Sequence, residues 1–288
     1  MTRAIAHRRT LAAPVSIQGT GLFTDAPAHC TIEPARAGTG ILFAHNTAEI
    51  PANIAHLAPS PIPAFASLPA RHTCLALGNA RVITCEHVLS ALAGLGITDA
   101  RITLGETGEL PIGDGSARLF SDAITAVGLR TFAEQAEALT ISETITVRAG
   151  GATITAQPSD TPSYTYYFEP PEGSPLKPQS ATWAGDPDEY RAGVAPARTF
   201  STLAEANQAQ ALGLFTSFTP RDLLVLDDTT GKPIDNALRF GDEPARHKLL
   251  DLIGDLALAG RPLCAKITAT RSGHALNHEL ARLILKAN

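Results

Sequence analysis

The feature that most constrains this chain is the order of its local patterns. Short alternating apolar runs broken by Gly, Pro and Asp are followed by a helical run, a strand and a helix, and the same succession then occurs a second time. In the first pass, residues 13–18, 29–34 and 40–44 read as strands joined by tight turns. A β-type run at 81–84 leads into 85–93, where Val88, Leu89 and Leu92 recur at helical spacing, with Thr84 as the expected N-cap and Gly94 as the stop. A strand over Ala100–Leu104, the turn-rich Pro111-Ile112-Gly113-Asp114-Gly115-Ser116 and a helix over Arg118–Val127 complete it near Gly128. The second pass has strands within 139–147, 152–156 and 164–168, a Pro-rich loop at 170–187, helices at 202–211 and 244–259, a strand at 265–270 and a last helix at 278–285. Strand and helix do not alternate one for one, so nothing demands a parallel sheet throughout, and the expected fold class is α+β. With 288 residues the chain is long enough for two domains of about 100–150 residues each, expected at 1–130 and 131–288.

Composition removes several function classes. Apolar residues make up 44% and charged residues 18%, which is ordinary for a globular chain and unlike a disordered one. A net charge of -5 without a basic stripe argues against nucleic acid as a partner; the densest cationic stretch, Arg3 with His7, Arg8 and Arg9, suits a solvated N-terminus. Cys30, Cys74, Cys85 and Cys264 are widely spaced, and the N-terminus has no signal-peptide pattern, so reduced thiols in the cytoplasm are expected. No apolar run approaches the roughly 18 residues that span a bilayer, so lipid would be met from the aqueous side.

Four segments have residues suited to chemistry. In His247-Lys248-Leu249-Leu250-Asp251, positions i and i+4 project from one helical face about 6 Å apart, so imidazole and carboxylate can share one Zn(II). The same spacing also suits an ordinary surface helix. Asp255 continues the stripe, while Leu249, Leu252, Ile253 and Leu256 occupy the other faces, so the polar face looks toward a cleft or toward water. Glu86-His87, in the first turn of its helix, pairs a potential general base with a potential ligand, although a Glu there also suits the helix dipole alone. Ser272-Gly273-His274 reads as a loop whose His can reach a site built elsewhere, and Ala197-Arg198-Thr199-Phe200 offers a hydroxyl to an oxyanion.

In order along the chain, Thr84-Cys85-Glu86-His87-Val88-Leu89-Ser90-Ala91-Leu92, Leu110-Pro111-Ile112-Gly113-Asp114-Gly115-Ser116-Ala117, Ala195-Pro196-Ala197-Arg198-Thr199-Phe200, Leu238-Arg239-Phe240 through His247-Lys248 to Gly254-Asp255-Leu256, and Ser272-Gly273-His274 resemble the UDP-3-O-acyl-N-acetylglucosamine deacetylase family. The resemblance extends from Gly19-Thr20-Gly21-Leu22 to the final helix. It implies two similar domains, each a β-sheet layered on α-helices, with the active site at their interface. It also implies a zinc-dependent amidohydrolase of lipid A synthesis, cytoplasmic and expected to be a monomer, that acts on UDP-3-O-acyl-N-acetylglucosamine. By the same resemblance, Zn(2+) is held by His87, His247 and Asp251. Glu86 is the general base, Thr199 and His274 stabilise the oxyanion, His274 protonates the departing amine, and Asp255 keeps His274 cationic. Lys248, Phe200 and Leu22 bind substrate. The chain departs from the family at Gly21-Leu22-Phe23-Thr24-Asp25, where a His is usual at the position of Phe23, and across 201–221, which in the family forms the acyl-chain passage. Two other readings stay open on sequence: a non-catalytic binding paralogue, and the same hydrolysis on a different acetamido sugar.

Overall fold

Alternation along the strand Pro27–Pro34 turns Ala28, Cys30 and Ile32 inward and His29 outward, giving the sheet of the first half one buried face. In the computed structural model, which describes residues 4–66 and 71–288, that sheet has five strands in the order Val15–Thr20, Pro27–Pro34, Ala100–Leu104, Ile41–His45, Ala48–Pro51. Its pairings are antiparallel except between Ile41–His45 and Ala100–Leu104. The second half forms a six-stranded sheet in the order Ile145–Ala149, Ala152–Pro158, Leu263–Thr270, Ser163–Phe168, Gln179–Trp183, with Leu139–Thr140 also beside Leu263–Thr270. Both sheets mix parallel and antiparallel pairs, so neither is the all-parallel sheet of a strictly alternating chain, in keeping with α+β layering. A hairpin of Cys74–Leu77 with Ala80–Ile83 turns through Gly78-Asn79, and Phe200–Thr202 pairs in parallel with Leu224–Leu226.

Six helices are described: α1 (Glu86–Gly94), α2 (Arg118–Val127), α3 (Pro187–Gly193), α4 (Leu203–Ala211), α5 (Glu243–Ala257) and α6 (His274–Lys286). The centre of the molecule is the packing of α1 on α5, with α2 and α3 against α1 and α6 against α5. Leu89, Leu92, Leu249, Leu252, Ile253 and Leu256 are all at most 2% exposed in one continuous core that also includes the inner faces of both sheets. Close approach of α1 and α5 depends on Gly254, where an added Cβ would collide with the main-chain carbonyl oxygen of Glu86. Gly254→Ala therefore forces the helices apart, with an expected loss of about 1–3 kcal/mol, read as a lower urea midpoint at unchanged m-value.

Several local expectations are corrected. Thr84 does not cap α1: its φ is 60°, its hydroxyl points to Glu109 Oε1 at 3.4 Å, and Cys85 occupies the N-cap without a side-chain bond. Gly94 lies inside α1 against the Tyr190 ring, and the turn out of the helix uses Gly96 at φ 70°. The Pro-rich stretch contains the strand Gln179–Trp183, and α3 begins at Pro187, capped by the Asp186 side chain accepting from the amides of Asp188 and Glu189. A strand over Leu129–Glu137 pairs with Ala4–Leu11, which the sequence pattern did not reveal. The final helix starts four residues earlier than expected, so His274 is its first residue and not a loop residue. Arg8 is not simply solvated but pairs with buried Asp99 at 3.1 Å; Arg3 lies outside the described residues. All four cysteines are buried.

Candidate active site

The site is assembled where α1 meets α5. The first turn of α1 presents Glu86 and His87; one face of α5 presents His247, Asp251 and Asp255, with Lys248 beside them; the N-terminus of α6 brings His274. The polar face of α5 looks toward a cleft and not toward bulk water: His247 and Asp251 line it though only 2% and 4% exposed, and Asp255, 0% exposed, lies behind it. Such burial is tolerable only because each group is partnered.

Three ligand-type atoms converge. His87, His247 and Asp251 place their nearest donor atoms within 4.8 Å of one another, with Asp251 Oδ1 3.4 Å from His247 Nε2 and 3.7 Å from His87 Nε2. His247 Nδ1 hydrogen-bonds the Ala197 carbonyl at 3.2 Å, which leaves Nε2 with a free lone pair toward the cluster. His87 Nδ1 is buried with no hydrogen-bond partner among the described residues. Burial lowers the pKa of His87 and takes that of His247 down to about 3, so both imidazoles are neutral. Burial raises the Asp251 carboxyl, but His247 and Lys248 outweigh it and hold the group below its ordinary range. Lys248 donates to Asp251 Oδ2 at 2.9 Å, leaving Oδ1 for the cluster. Two neutral imidazoles and a carboxylate fit a divalent cation such as zinc.

Around the cluster lies an acid–base set. Glu86, 3% exposed, accepts the Thr73 amide at Oε2 (2.9 Å), and burial, with Asp251 and Asp255 adding to it, lifts its pKa to about 8 in spite of the opposing His274. The helix N-terminus favours ionised Glu86, and burial overrides that preference. His274 shows the reverse balance. Burial alone lowers its pKa, but Asp255, whose Oδ2 is 2.8 Å from Nδ1, raises it to about 9. Burial opposes ionisation of Asp255 as well, yet His274 and His278 keep it a carboxylate.

Thr199 and Phe200 are positioned by a buried fork. Arg198 Nε and Nη2 donate to the two Glu243 oxygens at 2.8 and 3.0 Å, pinning the segment to the first residue of α5. The Thr199 amide donates to the Gly115 carbonyl at 2.7 Å, and Arg239 reaches Asp114 at 2.6 Å, which gives the Pro111–Ser116 turn its role of tying the first half to the second. Leu22, Thr199, Phe200, Lys248, Glu86, His87, His247, Asp251 and His274 all border one cleft of about 560 Å³. Asp255 is the one candidate residue set behind it, bonded to His274.

Sequence reasoning missed two participants. His278 Nε2 lies 3.2 Å from Asp255 Oδ1 and 3.0 Å from Thr73 Oγ1, and Thr73 donates its hydroxyl to Asp255 at 2.6 Å and its amide to Glu86. His278 had a readable signal, four residues after His274 on what proves to be one helix; Thr73 had none.

A buried two-His, one-carboxylate cluster with a carboxylate and a carboxylate-bound imidazole at its rim is the arrangement of a hydrolase centre of the metal-assisted class. Residues 8–286 match the model of the family described as UDP-3-O-acyl N-acetylglycosamine deacetylase, and the chain belongs to that family. Among its relatives, the UDP-3-O-acyl-N-acetylglucosamine deacetylase of Chlamydia trachomatis serovar D is 32% identical over 287 residues, covering 97% of this chain and 95% of its own. Enzymes of the same description from Anaeromyxobacter sp. (strain Fw109-5) and Myxococcus xanthus are 36% and 34% identical, again over 97% of this chain and over 88% and 86% of theirs. No described helix is long and apolar enough to cross a membrane.

Proposed function

We propose that this chain hydrolyses the N-acetyl group of UDP-3-O-acyl-N-acetylglucosamine, releasing acetate and UDP-3-O-acyl-glucosamine for lipid A synthesis. Membership of the family carries the reaction, and the observation that carries the mechanism is the convergence of His87, His247 and Asp251 beside Glu86 and His274. In this reading the metal is Zn(2+), held by His87, His247 and Asp251, and it supplies Lewis acidity that lowers the pKa of water and polarises the acetamide carbonyl.

Glu86 takes a proton from the water that attacks the acetamide carbon; burial pushes its carboxyl up to about 8, so the ionised base forms as pH rises toward that value and the rising limb of activity reports it. Negative charge developing on the carbonyl oxygen is met by the Thr199 hydroxyl and by the imidazolium of His274. As the carbon–nitrogen bond breaks, His274 gives its proton to the departing amine, so acetate and the free amine leave in balance. Asp255 holds His274 cationic and oriented through the 2.8 Å bond. Lys248 sits on the cleft wall with its ammonium on Asp251, and Phe200 and Leu22 supply the apolar walls on the sugar and acyl side. The reading includes division into units at residues 1–130 and 131–288, a cytoplasmic location and a monomeric state.

Acetate release from UDP-N-acetylglucosamine with and without the 3-O-acyl chain tests the substrate. Strong dependence on the acyl chain is expected, and equal turnover of both would point to a different acetamido sugar. The pH profile tests His274. Its pKa is raised, so the protonated acid is present at neutral pH and activity falls as pH rises through about 9. Asp255→Asn removes the carboxylate that raises it, so the falling limb moves down toward the ordinary value of about 6.5. An unmoved limb would take the acid role from His274.

A further inference from the structure

Residues 21–25 and 215–218 are far apart in sequence and touch in the structure. Asp25 Oδ2 accepts the Thr216 amide at 2.9 Å and the Thr216 hydroxyl at 2.8 Å, and Oδ1 accepts the Ser217 amide at 3.1 Å. Two residues away, the Phe23 ring lies 5.5 Å from the Phe215 ring and 5.2 Å from Phe65 in an edge arrangement, and it is backed by the His72 ring at 4.2 Å. Asp25 and Phe215 have φ values of 51° and 60°, a backbone region that non-glycine residues rarely enter and that persists only where surrounding contacts determine it. Three hydrogen bonds to one carboxylate and the aromatic cluster supply that determination.

What this junction borders is a mostly apolar cavity of about 350 Å³, with Phe23, Phe65, Phe215, Phe218 and Leu223 on the side of the junction. The cavity is continuous with the catalytic cleft, since Leu22, Phe23, Thr199 and Phe200 line both. Its occupant under the proposed function, on which this inference rests, is the 3-O-acyl chain: the wall formed by the junction is hydrocarbon and aromatic, polar side chains such as Glu205, Asn207 and Gln210 stand on the other wall, and the opening is beside the residues assigned to the sugar. The geometry points to Asp25 with Phe23, Phe215, Thr216 and Ser217 as a latch that closes one side of the acyl passage and sets which chain lengths the protein accepts. Asp25 is outside the lining of both cavities, so it acts by positioning the 215–218 segment and not by touching substrate.

The experiment pairs two readouts on the full chain: calorimetric binding of a series of saturated fatty acids from eight to sixteen carbons, and acetate release from UDP-3-O-acyl-N-acetylglucosamine carrying the same chains, for the wild type, Asp25→Ala and Asp25→Asn. The wild-type series shows a cut-off length. Asp25→Ala moves that cut-off, changing relative affinity by roughly fourfold for each methylene newly buried or newly excluded, while the shortest chains bind as before. Asp25→Asn, which keeps oxygen acceptors for part of the network, gives an intermediate profile. Identical length profiles in all three proteins, with circular dichroism showing each folded, overturn the latch. A shifted binding profile in a protein that releases no acetate from any substrate keeps the latch and overturns the deacetylase reading instead. Binding of no fatty acid at any length, with turnover independent of length, overturns the assignment of the cavity to the chain.

Discussion

Chelation of the purified protein is expected to abolish acetate release, and Zn(II) restored at low stoichiometry is expected to bring it back. The expected loss is about 10³-fold or more, because Lewis-acid polarisation is worth several kcal/mol of transition-state stabilisation. Folding should survive the treatment. The cluster residues rest on a core already complete without a cation: Leu249, Leu250 and Leu252 on α5 are 0% exposed, Lys248 pairs with Asp251, and the Ala197 carbonyl holds His247. Far-UV circular dichroism is therefore expected to be unchanged on metal removal, unlike a small zinc-nucleated domain. Full activity in metal-free protein would remove the metallohydrolase reading.

Glu86→Ala is expected to lower turnover by about 10²–10⁴, the usual contribution of a positioned general base. A loss under tenfold would take Glu86 out of that role. Alanine also leaves the buried Thr73 amide without its acceptor, at a cost of about 1–3 kcal/mol. Glu86→Gln separates the two effects. Its amide oxygen can still accept the Thr73 N–H, so stability stays near that of the wild type while the base is absent. If Glu86→Gln and Glu86→Ala lose turnover equally but differ in stability, the chemical role is isolated from the structural one.

Thr73 joins Glu86 and the Asp255–His274 pair in one hydrogen-bond network. Its amide holds Glu86 and its hydroxyl holds Asp255, so base and acid are linked through one residue of the strand-leading segment at the edge of the Cys74–Leu77 hairpin. Asp255 in turn accepts from His274, Asn277 and Thr73 and lies within reach of His278. A fully buried carboxylate with this many donors is held rigidly, which suits a group whose task is to keep an imidazolium oriented.

Much of the candidate site was legible because its signals are local. The i, i+4 spacing of His247 and Asp251 needs only a helix to become a shared face, and the helix former run around them is strong; Glu86-His87 needs only a strand followed by a helix start. The same locality explains the accurate reading of Ala100–Leu104 and Arg118–Val127, and the near agreement at 203–211, where Thr202 and Glu205 form a capping box. The errors fell where a long-range partner outweighed local preference. Thr84 looks like an N-cap, but Glu109 draws its hydroxyl away; Gly94 looks like a stop, but it is the space into which Tyr190 packs.

Sequence by itself determined the residue types at the centre, the helices that hold them and, through ordered motifs, the family. Tertiary structure alone decided which of those helices meet. Only contact across 168 or so positions makes Gly254 the point where α5 touches the Glu86 carbonyl, and only contact across 191 positions makes Asp25 the acceptor for Thr216. It also decided protonation, since Glu86 and His274 depart from ordinary carboxylate and imidazole behaviour in response to burial and to Asp251 and Asp255. Helical periodicity is written in a few neighbouring residues, whereas desolvation and pairing energies depend on atoms supplied by distant parts of the chain, and no local pattern encodes them.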